Sequence, residues 1–315
     1  MMIRNWWFPV VLFGALLSMA TPAVAGSTLK VPQGEVAALP PAPAASSVAL
    51  SLLPSAEIQT RHGLSVRGAR LGDPLTSAMV AFVVEHPQGR VLIDAGMGRE
   101  GVAHVATVPW LLRQFIDLEL SQATVDGLAA GGVGPEDLEA VILTHAHWDH
   151  VSGLAELPGV PVVMSEEELA VARSGEGDAL FQMIDADVPI HTVTPGFEDG
   201  PYGPFPSSHD FFGDGSLVLV PLPGHTAGSV GVFVNLSPAS RFLFIGDTAW
   251  ASEGVDWPAE KPWLSRRIVD ADREGVQDQL ILLHQLQARH PELTVVPAHD
   301  ARIHAQVPVW PESMP

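Results

Sequence analysis

Residues 140–150 read AVILTHAHWDH. Four apolar residues, Ala140 to Leu143, run straight into His145, His147, Asp149 and His150. A short apolar run with β-branched members predicts a buried strand. In a segment leaving a strand, residues two apart can point the same way, so His145 and His147 can grip one ion. Asp149 and His150 stand where DHVSGLAEL (149–157) opens a helix, and they can turn toward a second ion. A carboxylate is favoured at that helix end.

Outward from this stretch, short apolar runs alternate with helical patterns. SAMVAFVVEH (77–86), PQG and RVLIDAGMG (90–98) predict strand, turn and strand. VPWLLRQFIDLEL (108–120) has helical spacing at Leu111, Phe115 and Leu118. VPVVMS (160–165) predicts a strand, and SEEELAVAR (165–173) a helix capped by Ser165 with acids in its first turn. SLVLVPL (216–222), SVGVFVNL (229–236), RFLFIGD (241–247) and LTVVPAH (293–299) are further strands. REGVQDQLILLHQLQARH (273–290) is a helix with a buried face at Val276, Leu280, Leu283 and Leu286, ended by Pro291. Several consecutive strands are joined by tight turns. That favours an α/β fold of sheets packed together with helices outside, rather than one doubly wound sheet.

Ligand-type residues recur where these strands end: His145 in LTH, His225 in PGH, Asp247 in IGD and His299 in PAH. Residues that follow strand ends gather on one edge of a layered fold. Gly224 and Gly228 let the chain turn tightly around His225. The set supplies five histidines and two aspartates. With no cysteine in the chain, thiolate nucleophiles, disulfides, Cys-type zinc sites and iron–sulfur clusters are excluded. Nitrogen and oxygen ligands alone suit two divalent ions, with zinc the natural choice and iron, manganese or cobalt as alternatives.

Bulk properties narrow the class further. A chain of 315 residues, 47% hydrophobic, can bury a sizeable core. A formal net charge of −20 repels nucleic-acid phosphates and anionic membrane surfaces. Residues 1–25 have the pattern of a signal peptide. Arg4 starts a positive region, Phe8 to Ala20 are largely apolar, and Ala23-Val24-Ala25 predicts cleavage before Gly26. The expected location is a periplasm or the medium, with no stable membrane association after cleavage. Residues 26–54, with ALPPAPAASS (38–47), predict a flexible or extended Pro/Ala-rich lead-in, and 55–315 the functional domain.

THAHWDH (144–150), PGHTAGS (223–229), GDT (246–248) and PAHD (297–300), in this order and spacing, resemble the metallo-β-lactamase-fold hydrolases over about residues 60–305. The resemblance implies a four-layer αββα sandwich with a dinuclear site on one edge. It implies His145, His147 and His225 on the first metal, Asp149, His150 and His299 on the second, and Asp247 bridging. IDAG (93–96) is similar to the strand motif that backs the ligands in that family, with Asp94 supporting them; a plain turn aspartate is the alternative reading. The implied chemistry is attack by a metal-bridging hydroxide, with Asp149 orienting the nucleophile and moving its proton.

Within that family the chain is most similar to the N-acyl-homoserine lactonases and exported organophosphate hydrolases. The true zinc β-lactamases generally lack an aspartate at the place of Asp247. Many of the lactonases carry a substrate-binding tyrosine three residues after the bridging aspartate, where this chain has Trp250. Indole donates through N–H but does not transfer a proton as phenol can. Trp110, Phe115, Phe211 and Phe212 are further aromatic candidates for the pocket, though packing is the favoured reading for each. Trp148 fits a shield over the site or simple packing equally well. The expectation is an exported dinuclear hydrolase of a small-molecule ester, foremost a lactone such as an acyl-homoserine lactone. A phosphotriester hydrolase or β-lactamase on the same site comes second, and a non-catalytic metal-binding protein third. A homodimer is compatible with the sequence.

Overall fold

Alternating side chains on the apolar runs feed two different buried faces, and that alternation builds the layers. The structure is a computed structural model describing residues 28–43, 47–114, 116–175 and 178–315. The first sheet holds β1 (Ala49–Arg61), β2 (Pro74–His86), β3 (Gly89–Ile93), β4 (Leu118–Leu120), β5 (Leu138–Ile142), β6 (Val162–Val163) and β7 (Thr192–Val193). Their order is β4-β1-β2-β3-β5-β6-β7. The second holds β8 (His209–Asp210), β9 (Leu217–Pro221), β10 (Val230–Ser237), β11 (Ser240–Phe244) and β12 (Leu293–Val296), ordered β12-β11-β10-β9-β8. β2 and β3 form the predicted hairpin, with His86 opposite Gly89.

Strand β2 shows how the layers arise. Val80, Phe82 and Val84 point into the space between the sheets, where they join Ile142, Val232 and Phe244. Met79, Ala81 and Val83 point the other way, onto Leu128, Val151, Leu154, Phe181 and Ile184 of the outer helical layer. On the far side, Val220, Phe233 and Leu243 meet Val276, Leu280, Leu283 and Leu286 from the helix Arg273–Arg289. Helix, sheet, sheet and helix therefore stack as the expected αββα sandwich. Ser165 caps the helix Glu166–Ser174 by accepting from the Glu168 N–H.

Three expectations change. The helix predicted over 108–120 is a single turn at Trp110–Arg113, followed by β4 on the edge of the sheet, where Leu118 pairs with Ile58 and Leu120 with Ala56. Pairing with an open strand edge outweighs a marginal helical period over so short a segment. Phe115 lies outside the described residues. Second, β1 begins at Ala49, inside the stretch expected to be a flexible or extended lead-in to residue 54. Third, described parts of that lead-in pack down. Leu39 is buried in the outer core, and the Pro40 carbonyl accepts from Arg241 Nη1 at 3.0 Å. A few apolar side chains and fixed hydrogen bonds suffice to hold a proline-rich strap. The predicted signal peptide 1–25 and its cleavage before Gly26 lie outside the described residues. Among the described residues no helix is long and apolar enough to cross a membrane.

Candidate metal centre

The seven sequence-predicted ligands converge at one edge of the sandwich. His145 and His147 leave β5, and Asp149 and His150 sit in the short helix Trp148–Val151 that follows. His225 lies between β9 and β10, Asp247 in the turn Gly246–Thr248 after β11, and His299 just past β12. The two glycines beside His225 act differently. Gly224 has φ +142, and a Cβ there would lie 2.6 Å from the Val276 nitrogen. Gly228 is not in the left-handed region; it is needed because the Glu168 backbone passes where its Cβ would be.

Ligand atoms gather in three overlapping trios: His145, His147 and His225; His145, His150 and Asp247; and Asp149, His150 and His299, each within 4.8 Å. His225 Nε2 lies 2.9 Å from His147 Nδ1. His299 Nε2 lies 3.3 Å from Asp149 Oδ2. Asp247 stands between these groups. Its Oδ2 is 3.5 Å from His225 Nε2, and its Oδ1 is 3.0 Å from His299 Nε2 and 3.5 Å from His150 Nε2. Two of these trios coincide with the sets that the resemblance implies, and the third, His145, His150 and Asp247, joins them.

Behind the ligands, three of the five histidines have a fixed acceptor for the outer ring nitrogen. His150 Nδ1 donates to Asp94 Oδ2 at 2.8 Å, His225 Nδ1 to Asp270 Oδ1 at 2.9 Å, and His299 Nδ1 to the Ala78 carbonyl at 3.0 Å. Each bond sets the tautomer that leaves Nε2 as a lone-pair donor facing inward. His145 Nε2, His150 Nε2 and Asp247 Oδ1 are buried without hydrogen-bond partners. Buried polar atoms are normally satisfied, and several orphans aimed at one point fit cation ligation. All-nitrogen-and-oxygen donors suit a divalent metal.

The electrostatics divide the site. Burial holds His145 well below its ordinary range and His147 at about 3, so both present neutral imidazoles. Burial also works against a charged His150 and His299. There, however, Asp94, Asp149 and Asp247 raise His150, and Asp247 and Asp149 raise His299. For Asp247, burial opposes ionisation, and the adjoining His299 and His150 overcome it, holding the carboxyl well below its usual value. The side carrying Asp149, His150 and His299 thus attracts positive charge more strongly than the side made of histidines.

Asp94 lies behind the ligands, against His150. It sits at φ +57, a region uncommon for residues other than glycine, and its Oδ1 accepts from the Thr144 N–H at 2.7 Å. Trp250 lines the pocket, but its Nε1 donates to Asp247 Oδ2 at 2.7 Å, so its N–H is directed at the carboxylate rather than left for substrate. Phe211 and Phe212 pack elsewhere, with Phe212 stacked on His86 at 3.8 Å. Trp110 is 67% exposed and Trp148 is buried on the pocket wall.

Sequence reasoning missed Asp270, Lys261 and Glu168. Glu168 resembles a helix-dipole acid, yet it is buried and its Oε1 accepts from the Ala146 N–H at 2.7 Å, bracing the first histidine loop. Lys261 had a signal in the sequence: the chain has two lysines, Lys30 and Lys261, against 14 arginines. A cavity of about 270 Å³ opens beside the cluster. Its apolar wall includes Ile58, Met79, Val108, Ile116, Leu264 and Ile268, and its polar floor is His147, Asp149, Asp247 and His299.

Known proteins place this arrangement. The chain is 28% identical over 232 residues to a "Probable metallo-hydrolase" of Mycobacterium tuberculosis, covering 70% of this chain and 73% of that one. It is 26% identical over 238 residues to the N-acyl homoserine lactonase AttM of Rhizobium radiobacter, covering 73% and 85%. Among solved structures, an N-acyl homoserine lactone hydrolase with N-hexanoyl-L-homoserine at its catalytic metal centre superposes with a TM-score of 0.66 at 17% identity. That match covers 84% of this chain and 98% of the other, and at such identity it speaks to the fold. Residues 79–299, from within β2 to the last ligand, match the metallo-beta-lactamase superfamily, and the chain belongs to it.

Proposed function

We propose that the chain is an exported, dinuclear metal-dependent hydrolase of a neutral ester, foremost a lactone with an apolar acyl group. His145, His147 and His225 would hold one ion, Asp149, His150 and His299 the other, and Asp247 would bridge. Bound divalent ions supply Lewis acidity and make water a nucleophile at neutral pH. The chain's own groups do the rest. Asp149, on the pocket floor, takes the proton that water gives up as it attacks the acyl carbon. It can return that proton to the departing alkoxide, so no other acid is needed. The apolar wall excludes water and holds the acyl group.

One observation carries the substrate class. Among the described residues, the lining of this cavity contains Asp149, Asp178 and Asp247 but no lysine or arginine. A substrate carboxylate would find no lysine or arginine there and would have only the bound ions to meet it. That disfavours β-lactams, which are anionic, and favours neutral esters. A phosphotriester is also neutral, and the indole face of Trp250 in the wall supports it as the second reading. The named lactonase relative supports the first.

The test is a side-by-side assay of the metal-loaded protein on a long-chain acyl-homoserine lactone, an aryl phosphotriester and a cephalosporin. The lactone should be turned over with the highest kcat/KM, chelator should abolish turnover, and the cephalosporin should rank last. A cephalosporin ranking first would overturn the neutral-substrate reading. Export rests on residues 1–25. Protein recovered from periplasm or medium should begin at Gly26; a mature chain retaining Met1 would contradict it.

A further inference from the structure

Lys261 is an unusual residue for its place. Its side chain is 1% exposed, in a chain that otherwise has a single lysine, and it lies behind a cluster built to hold cations. A buried ammonium is costly unless its protons are satisfied. Here Nζ donates to the Asp247 main-chain carbonyl at 2.5 Å and to Asp270 Oδ1 at 2.7 Å, and faces the Trp250 ring at 5.4 Å from its centroid.

Those partners lead to the same trio. Asp270 Oδ1 also receives the His225 Nδ1–H at 2.9 Å. The backbone around Asp270 is laced to the His225 loop, with the Ala271 N–H on the His225 carbonyl at 2.9 Å and the Asp272 N–H on the Gly224 carbonyl at 2.8 Å. Glu260, the preceding residue, is buried and held by Arg273 at 2.6 Å and Arg67 at 3.1 Å. The Lys261 backbone is therefore fixed from outside, while its ammonium joins the two elements that carry His225 and Asp247.

We propose that Lys261 is a positioning residue that locks His225, through Asp270, to the backbone of Asp247, and so sets the His145, His147 and His225 cluster as one unit. Charge alone gives no reason for it, since a cation beside a cation site is repulsive. The carboxylate of Asp270 offsets that charge, and what remains is the geometric link. A compact ammonium meets a carbonyl, a carboxylate oxygen and a ring face from a single point, whereas a guanidinium spreads its donors over a wider fork. This assignment rests on the metal-hydrolase reading above.

The experiment compares wild type, Lys261→Met and Asp270→Asn, each as the folded, metal-loaded chain. Release of each ion to a chelator is timed, and the visible spectrum of the cobalt-loaded form is recorded. Both variants should release one ion about 10–100-fold faster than wild type, as the loss of groups supporting a ligand does. The other ion should keep its wild-type rate, and the cobalt bands of the loosened ion should shift. Should Lys261→Met fail to fold, Lys261→Gln, which keeps the chain length and a donor but not the charge, takes its place. Wild-type rates for both ions, or equal acceleration of both, overturns the role of Lys261. A wild type that holds no divalent ion instead overturns the underlying functional reading, so the two failures are distinguishable.

Discussion

At the residue scale, the site is a set of donors held from behind. Asp94 fixes His150 and Thr144 from a strained backbone position. Asp94→Ala should weaken metal affinity by about 10–100-fold with the fold retained, read by competition with a chelating dye. Asp149→Asn should lower kcat by about 10²–10⁴-fold if the carboxylate moves the proton, with KM changed far less. A residue outside the site gives a pH prediction. His304 is buried with Nε2 2.9 Å from the Pro297 carbonyl, and burial lowers its pKa to about 4. An unfolded imidazole titrates near about 6.5. The unfolded chain therefore binds the proton first as pH falls. Stability is complete above that value and is lost between it and about 4, by up to about 3 kcal/mol. Denaturant melts across that window should show a flatter decline in His304→Gln than in wild type; identical slopes would exclude this origin. The ligands themselves were legible because HxHxDH concentrates rare residue types within seven positions. Asp270 and Glu168 were not, because a lone acid in a sequence carries no mark of what it will touch. The sequence places Trp250 three residues after Asp247 but does not show that its indole N–H turns back onto that carboxylate.

At the element scale, strands place the ligands and helices keep the strands in register. The helix Arg273–Arg289 buries Val276, Leu280, Leu283 and Leu286 against the second sheet and begins just after Asp270. Leu283→Ala should cost about 2–5 kcal/mol in urea unfolding. Activity per folded molecule should be unchanged, since Leu283 touches neither the ligands nor the pocket. This element was readable because seventeen residues sustain one helical period and Pro291 ends it. The segment 108–120 was misread for the opposite reason. Its apolar residues satisfy a helical period over barely three turns, while Leu118 and Leu120 also satisfy a strand's alternation. The edge of β1 decides between them, and an edge is not visible in sequence. β1 itself was partly hidden, because its first residues adjoin the Pro/Ala-rich composition that precedes them.

At the scale of the whole molecule, two sheets meet so that four separate strand ends deliver ligands to one edge, beside a cavity with acidic and apolar lining. The strongly acidic surface and the absence of lysine or arginine among the described lining residues act in the same direction, against anionic substrates. The layered fold was legible from strands joined by tight turns together with the motifs at their ends. The lack of lysine and arginine among the described lining residues was not, since it depends on which distant residues share the wall. The central claim is that the seven converging residues form a dinuclear metal centre. Elemental analysis of the purified protein against Asp247→Ala tests it most directly. The account predicts two divalent ions per wild-type chain and loss of at least one in the variant, together with loss of hydrolysis. A wild type that is active without bound metal, or a variant that keeps both ions, would contradict it.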